Sequence, residues 1–284
     1  MGAVAQRAEQ LLGTAVVATT PVAGGDICTS TRLRLSDGRS ALMKTRPHAP
    51  DGFFAREADG LRWLAQAGGV DVPEVLAAED DCLVLAWVES GKPSMEAAEQ
   101  LGRALAVTHR AGAPGFGLEA GDGFIGTLPL PNRPAASWPE FYATRRVLPY
   151  LKLAADRGHI APQDAAAVDS VVRRIVELAG PDEPAARLHG DLWAGNLLWG
   201  ADARVWLIDP AAHGGHRETD LAMLALFGCP QLPRVLDAYA EAAPLADGWE
   251  DRVPLHQLFP LLVHACLFGG GYGGRAGDAA RALG

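Results

Sequence analysis

The chain has 284 residues, a formal net charge of −9, and 49% apolar against 21% charged residues. That length accommodates one large domain or two modest ones around a buried core, and the composition excludes a disordered or fibrous chain. An acidic balance repels a phosphate backbone, so no nucleic-acid partner is expected. The longest apolar runs are too short to span a bilayer, and Arg7 and Glu9 precede any of them, so neither a membrane nor a secretory signal is expected. The four cysteines, Cys28, Cys82, Cys229 and Cys266, form no CxxC pair, which suits free thiols in a reducing cytoplasm.

Along the first 88 residues the pattern is mostly that of strands. Residues 14–22 are apolar and β-branched, Gly24-Gly25 breaks the run, and residues 27–35 alternate apolar and polar side chains. Asp37-Gly38 signals a hairpin into a third strand at 41–45. Residues 53–67 switch to helical spacing, with Phe54, Ala58, Leu61, Leu64 and Ala65 on one face and Gly68-Gly69 at the end. Two short strands follow at 74–78 and 82–88.

From Glu89 onward the chain is mainly helical. Ser94 caps a helix to about Arg110, and Ser137 with Glu140 opens another through about Asp156, with a kink at Pro149. Val168, Val171, Val172, Ile175 and Ala179 mark a further stripe, and helices are expected at 219–227 and 253–268. Residues 269–274, rich in glycine, read as a loop. The exception to the helical run is 187–208, where two β-rich stretches, 196–199 and 204–208, flank a turn and form a small hairpin.

The strongest chemical signal is His189-Gly190-Asp191-Leu192-Trp193-Ala194-Gly195-Asn196, followed by Asp209-Pro210 after that hairpin. Phosphoryl transfer needs one carboxylate beside the attacking hydroxyl, and a side-chain oxygen with a second carboxylate to hold Mg²⁺. Asp191 fits the first role, and Asn196 with Asp209 fits the second. The hairpin places them at the open ends of one folded unit. His189 fits a loop-supporting role. Such a reaction also needs a cation on the nucleotide phosphates and a carboxylate to hold it. Lys44, one of only three Lys against 22 Arg, sits in the third strand, and Glu57 lies in the helix after it. The turn at Gly24, Gly25 and Asp26 offers backbone amides that can approach phosphate. His213-Gly214-Gly215-His216 is too sparse for a metal site and reads as a loop. Cys28 reads as a small apolar residue rather than a reactive thiol.

These residues resemble the fructosamine kinase (ketosamine-3-kinase) family, relatives of the aminoglycoside phosphotransferases and choline kinases. HGD alone is shared by many small-molecule kinases. Trp193 after it, the run Gly215-His216-Arg217-Glu218-Thr219-Asp220-Leu221-Ala222-Met223, the middle segment with Phe124-Ile125-Gly126, Pro131-Asn132, Ser137–Tyr142 and Arg146, and Phe268-Gly269-Gly270-Gly271-Tyr272 carry the closer likeness. The resemblance implies an α+β, bilobal protein-kinase-like fold. An N-lobe at 1–88 holds a five-stranded antiparallel sheet with one helix, and a larger, mainly helical C-lobe at 89–284 carries the catalytic hairpin. It implies ATP and Mg²⁺, with adenine against Leu85, Ala86, Trp87 and Val88. Asp191 is the catalytic carboxylate, Asn196 and Asp209 hold metal, and Trp193, His189 and Asn132 lie at the substrate. The implied reaction phosphorylates the 3-hydroxyl of a ketosamine on a glycated amine or protein, in a cytoplasmic monomer or weak homo-oligomer. Two positions depart from the family pattern: Ala86 stands where an acidic hinge residue is common, and Val263 where an Asn is. Two other readings share the same residues, a phosphotransferase for aminoglycosides or amino alcohols and a nucleotide-binding pseudokinase scaffold. A metal-dependent hydrolase built on His189, Asp191 and His213 lacks a third strong ligand at suitable spacing.

Overall fold

The computed structural model describes residues 2–23 and 27–284. The expected Gly24-Gly25-Asp26 turn lies outside the described residues. Five strands, β1 (Val16–Val22), β2 (Thr29–Leu35), β3 (Ser40–Thr45), β4 (Val75–Ala78) and β5 (Cys82–Ala86), form an antiparallel sheet in the order β1-β2-β3-β5-β4. Side chains on a strand alternate between faces, and that period decides where the lysine goes. Ala41 and Met43 of β3, with Cys82 and Val84 of β5, pack on one face against the helix α1 (Ala3–Leu12). Leu42 and Lys44 therefore fall on the other face, with Leu83 and Leu85, under the helix α2 (Phe53–Ala65). Phe54, Ala58 and Leu61 bury the apolar stripe of α2 there, each large side chain contributing roughly 1.5–3 kcal/mol.

Helix α1 corrects the expectation of a single helix in this lobe. Its stripe is built from small residues, Ala5 and Ala8, so the apolar signal is faint, although Gly13 at φ 62° closes the helix in the usual left-handed manner.

Beyond the sheet come α3 (Met95–Arg110), a short hairpin of β6 (Gly123–Ile125) and β7 (Leu128–Leu130), α4 (Trp138–Phe141), α5 (Leu148–Asp156), α6 (Pro162–Arg173) and α7 (Ile175–Leu178). Strand β8 (Ala186–Leu188), the hairpin β9 (Leu197–Trp199) and β10 (Val205–Leu207), and β11 (His213–Gly215) precede α8 (Arg217–Leu226), α9 (Leu232–Ala242), α10 (Trp249–Phe268) and α11 (Tyr272–Arg281). Ser94 caps α3 by accepting from the Ala97 N–H at 3.1 Å, as expected. Ahead of Pro149, which has no N–H to donate, the helical ladder widens to one π turn at Tyr142–Val147.

Three further corrections concern loops and a missed helix. His213–Gly215 is a strand paired with β8, not a loop, and His216 is the N-cap of α8. The glycine-rich segment expected as a loop turns into α11 at Tyr272. Gly273 and Gly277 are required there because a Cβ would overlap the backbone of residues 159–160 and the Asp164 side chain. Helix α9 was not anticipated. It crosses α3 at Gly102, where a Cβ would overlap the Val235 carbonyl.

The hairpin β9–β10 is the joint between the two parts. Gly91 donates its N–H to the Trp199 carbonyl at 2.6 Å, Leu207 donates to the Asp71 carbonyl at 2.8 Å, and Arg204 pairs with the Asp71 carboxylate at 3.0 Å. Gly60 of α2 meets Pro210, which would sit 3.2 Å from an added Cβ. The residue before Pro210 is thus delivered directly beneath α2. No helix among the described residues is long and apolar enough to cross a membrane.

Candidate active site

A cavity of about 970 Å³ runs between the sheet and the helical part. At one end it is lined by Leu42, Leu85, Ala86, Trp87, Val88 and Leu198, all apolar, so the expected adenine-binding segment faces the cavity. Trp87 is held in place by Arg32, whose guanidinium stacks 4.3 Å from the ring, and by its own Nε1–H donating to Glu89 at 2.9 Å.

Further in, Lys44 is 6% exposed, and its Nζ donates to Glu57 Oε1 at 2.6 Å and to Asp209 Oδ1 at 2.8 Å. Burial pushes the ammonium pKa down, but the two carboxylates outweigh it and the net shift is upward. Burial likewise pushes the Glu57 carboxyl up, against the pull of Lys44. Strand register, helix and hairpin thus converge three groups from residues 44, 57 and 209. Asp209 has φ 54°, a conformation a non-glycine residue adopts at a cost of order 1–3 kcal/mol, and such strain gathers at functional sites. Cys28 also lines this region, and burial raises its thiol pKa, in keeping with an unreactive side chain.

The loop after β8 presents Asp191. Gly190 has φ 81°, and a Cβ there would overlap the Ala211 carbonyl, so this position requires glycine. Asn196 lies on the short helical turn that follows. Its Nδ2 donates to the Asp191 carbonyl at 2.8 Å and to Asp191 Oδ2 at 3.0 Å. With the nitrogen committed, the amide oxygen of Asn196 is the atom left to accept or ligate. Burial is the largest influence on Asp191 and pushes its carboxyl up to about 7; the Asn196 amide opposes this, and the charges of Asp209 and Asp220 add to it. An amide oxygen, a strained carboxylate and a neighbouring carboxylate form a hard, all-oxygen donor set, which fits Mg²⁺ with remaining positions for water and phosphate.

His189 is 1% exposed, and both ring nitrogens are occupied. Nε2–H donates to the Ile208 carbonyl at 2.9 Å, and Nδ1 accepts from the Asp191 N–H at 3.2 Å. It therefore braces the loop and has no nitrogen left for a substrate, which corrects its placement at the substrate. Asp220 lies beneath the same loop and accepts from the N–H groups of His189 (2.8 Å) and Gly190 (2.9 Å). Behind it stand His109 and Tyr239, two buried residues that helical spacing alone presents as core.

The far end of the cavity is aromatic. Trp193 is 36% exposed and meets Phe227 edge-on at 6.2 Å. Phe227 lies 4.6 Å from His264, which neighbours Tyr272 at 5.2 Å and Phe268 at 5.6 Å. Only Trp193 of this group was singled out as a site residue from the sequence. Asn132 lines the wall nearby, with its Oδ1 accepting from buried Arg146 at 2.6 Å. Its Nδ2 is then the end free to donate to a ligand.

One cluster of potential metal ligands exists among the described residues, His216, Glu218 and His256. Glu218 already accepts from Arg252 through both oxygens, at 2.6 and 2.9 Å. His216 Nδ1 accepts from the Glu218 N–H at 3.2 Å, which leaves the ring proton on the Nε2 that a metal would need. The cluster is a buried ion-pair network at the start of α8.

A family model described as Fructosamine kinase matches residues 1–283. A probable ketoamine kinase from Thermus thermophilus is 38% identical over 254 residues, 89% of this chain and 88% of that protein. A crystal structure described as a fructosamine-3-kinase candidate from Thermobifida fusca is 51% identical, covers 99% of this chain and 98% of its own, and superposes with a TM-score of 0.94. A choline kinase from Streptococcus pneumoniae, at 17% identity and a TM-score of 0.66 over 99% of both chains, shares the protein-kinase-like fold alone.

Proposed function

The chain belongs to the fructosamine kinase family, and from that membership we propose that it transfers the γ-phosphoryl group of ATP to the 3-hydroxyl of a ketosamine. The observation that carries this reading is the convergence of Lys44 on Glu57 and Asp209 at 2.6 and 2.8 Å, directly beside the Asp191–Asn196 pair. A pseudokinase scaffold would not need that convergence.

In this reading residues 1–88 and 89–284 are the two lobes, with ATP between them and adenine against Leu85–Val88. Lys44, steadied by Glu57, meets the phosphates. Gly24, Gly25 and Asp26 are proposed as further nucleotide-binding residues. Asn196 and Asp209 would hold Mg²⁺, which when bound neutralises charge on the phosphate oxygens. Asp191 orients the sugar hydroxyl and takes its proton as the oxygen attacks the γ-phosphorus in line, while the bond from that phosphorus to the β,γ-bridging oxygen breaks and ADP leaves. Its raised pKa suits that exchange near neutral pH. Trp193 offers a flat face to the C–H side of the sugar, and Asn132 Nδ2 a donor to a sugar oxygen. The 3-phosphate sits on the carbon next to the C2 ketone: once a C1 proton is lost to give the C1–C2 enaminol, the amine nitrogen expels phosphate from C3, and water hydrolyses the resulting imine to release the amine. The substrate is a glycated amine, free or on a protein, met by a monomer or weak homo-oligomer. The four free cysteines fit a reducing cytoplasm.

The test offers ATP and Mg²⁺ with a fructosylated amine, a ribulosylated amine, an aminoglycoside and choline in parallel, following phosphate transfer by ³¹P NMR. Phosphorylation of a ketosamine is expected. Turnover of the aminoglycoside or choline alone would replace this reading with the neighbouring phosphotransferase class.

A further inference from the structure

We propose that His109 and Tyr239, neither of which lines the cavity, form a positioning relay that sets the direction of Asp191 through Asp220. The inference rests on the reading of Asp191 as the group that takes the substrate proton.

The relay joins four elements. His109 lies in the last turn of α3, Tyr239 on α9, Asp220 in the first turn of α8, and the loop carrying Asp191 follows β8. Tyr239 OH and His109 Nδ1 are 2.8 Å apart, and His109 Nε2 is 3.2 Å from Asp220 Oδ2. Asp220 in turn accepts the N–H groups of His189 and Gly190. His109, Asp220 and Tyr239 are at most 3% exposed.

Proton bookkeeping gives the relay one direction. A carboxylate flanked by two peptide N–H donors stays ionised and can only accept, so His109 Nε2 must carry a hydrogen. The other ring nitrogen, Nδ1, is paired with the Tyr239 hydroxyl at 2.8 Å. Asp220 thus takes three donors: two from the loop whose direction matters and one from His109. Each is a hydrogen bond to a charged group in a dry interior, where the loss of one is costly. The two peptide N–H groups point at Asp220 only while Gly190 keeps φ at 81°, and that same peptide geometry aims the Asp191 side chain into the cavity. The crossing at Gly102, two turns before His109 on α3, brings α9 close enough for Tyr239 to reach. An aliphatic side chain at 109 would fill the space yet leave both Asp220 and Tyr239 short of a partner. The hinge and Lys44 share no contact with this relay, so nucleotide binding should not sense it.

The test uses the full chain with ATP, Mg²⁺ and a ketosamine. His109→Leu should lower kcat on the order of 10- to 100-fold while KM for ATP and equilibrium ATP affinity stay within about twofold. His109→Gln, whose Nε2 can donate to Asp220 and whose Oε1 can accept from Tyr239, should recover most of that loss. Tyr239→Phe should lower kcat by about three- to tenfold with the same unchanged ATP affinity. Should His109→Leu fail to fold, His109→Gln and Tyr239→Phe carry the test. The relay is overturned if Tyr239→Phe and His109→Leu leave kcat unchanged, or if His109→Gln is as impaired as His109→Leu at equal melting temperature. Asp191→Asn, run alongside, separates the two claims. Full turnover by that variant overturns both, whereas a silent relay beside a dead Asp191→Asn overturns the relay alone.

Discussion

The two ends of the cavity are built on opposite principles. At the phosphate end, Lys44, Glu57 and Asp209 meet at 2.6 and 2.8 Å, and Asn196 grips Asp191 with two hydrogen bonds. At the aromatic end, Trp193, Phe227, His264, Phe268 and Tyr272 neighbour one another at 4.6 to 6.2 Å between ring centroids. Charge-assisted hydrogen bonds demand short, directed contacts, so few residue types and spacings satisfy them. Ring contacts tolerate many angles and partners. The first end should therefore fix the reaction and the second should choose what the phosphate is delivered to.

The sharpest way to break that division is to remove a charge. Asp191→Asn and Lys44→Met should each lower kcat by roughly a thousandfold, the scale expected of a lost proton acceptor or phosphate contact. Asp191→Asn should leave ATP affinity nearly intact, and Lys44→Met should leave ketosamine affinity intact. Steady-state kinetics with calorimetric binding separates the two. A Lys44→Met enzyme with ordinary turnover would mean that the phosphates bind elsewhere.

The aromatic end should respond in KM. Trp193→Ala removes the most exposed face in the cluster after Phe268. It should raise KM for the ketosamine about tenfold, with KM for ATP unchanged, because a stacked aromatic contributes on the order of 1–2 kcal/mol. A panel of ketosamines on different amines would sharpen the contrast: wild-type preferences among the amines should flatten in Trp193→Ala and persist in slow phosphate-end variants.

The same contrast explains what could be read from the residues alone. His189-Gly190-Asp191, Asn196 and Asp209 are spaced by one hairpin, and Lys44 and Glu57 by one strand-to-helix connection, so local periodicity carried most of the geometry. Phe227, His264 and Tyr272 come from α8's end, α10 and α11, and only tertiary packing brings them together. His109 and Tyr239 look like ordinary members of apolar stripes, and nothing short of the α3–α9 crossing pairs them. Helix α11 was hidden by its glycines, which disfavour helix in isolation but are demanded by the close approach to residues 159–164. His189 divides the two kinds of reading: its place in the motif gave it a loop-supporting role, which its two hydrogen bonds match, whereas the resemblance put it at the substrate.

The smallest expected effect is on stability, and it separates the sheet from the helical part. The sheet part has one histidine, His48, which is exposed, whereas the helical part buries several. Burial pushes His213 down to about 3 and His216 down to about 4, so both stay neutral in the folded state well below the ordinary value near 6.5. In the unfolded chain both take a proton as pH falls through that value. A group whose folded pKa is depressed stabilises the fold above the unfolded pKa and loses that contribution as pH falls toward the folded one. Stability should thus decline from about pH 6.5, down to about pH 4 for the His216 contribution and about pH 3 for that of His213, each histidine costing on the order of 1 kcal/mol per pH unit within its window. Urea unfolding followed at pH 7, 6 and 5 reads this directly. His216→Asn is the informative variant, since Asn can still accept the Glu218 N–H as the N-cap of α8 but does not titrate. Its unfolding midpoint should fall less steeply with acid than that of the wild type. An unchanged slope would show that His216 has the same pKa in the folded and unfolded chain, and the acid sensitivity would then belong to the other buried histidines whose pKa burial lowers, His189, His213 and His256.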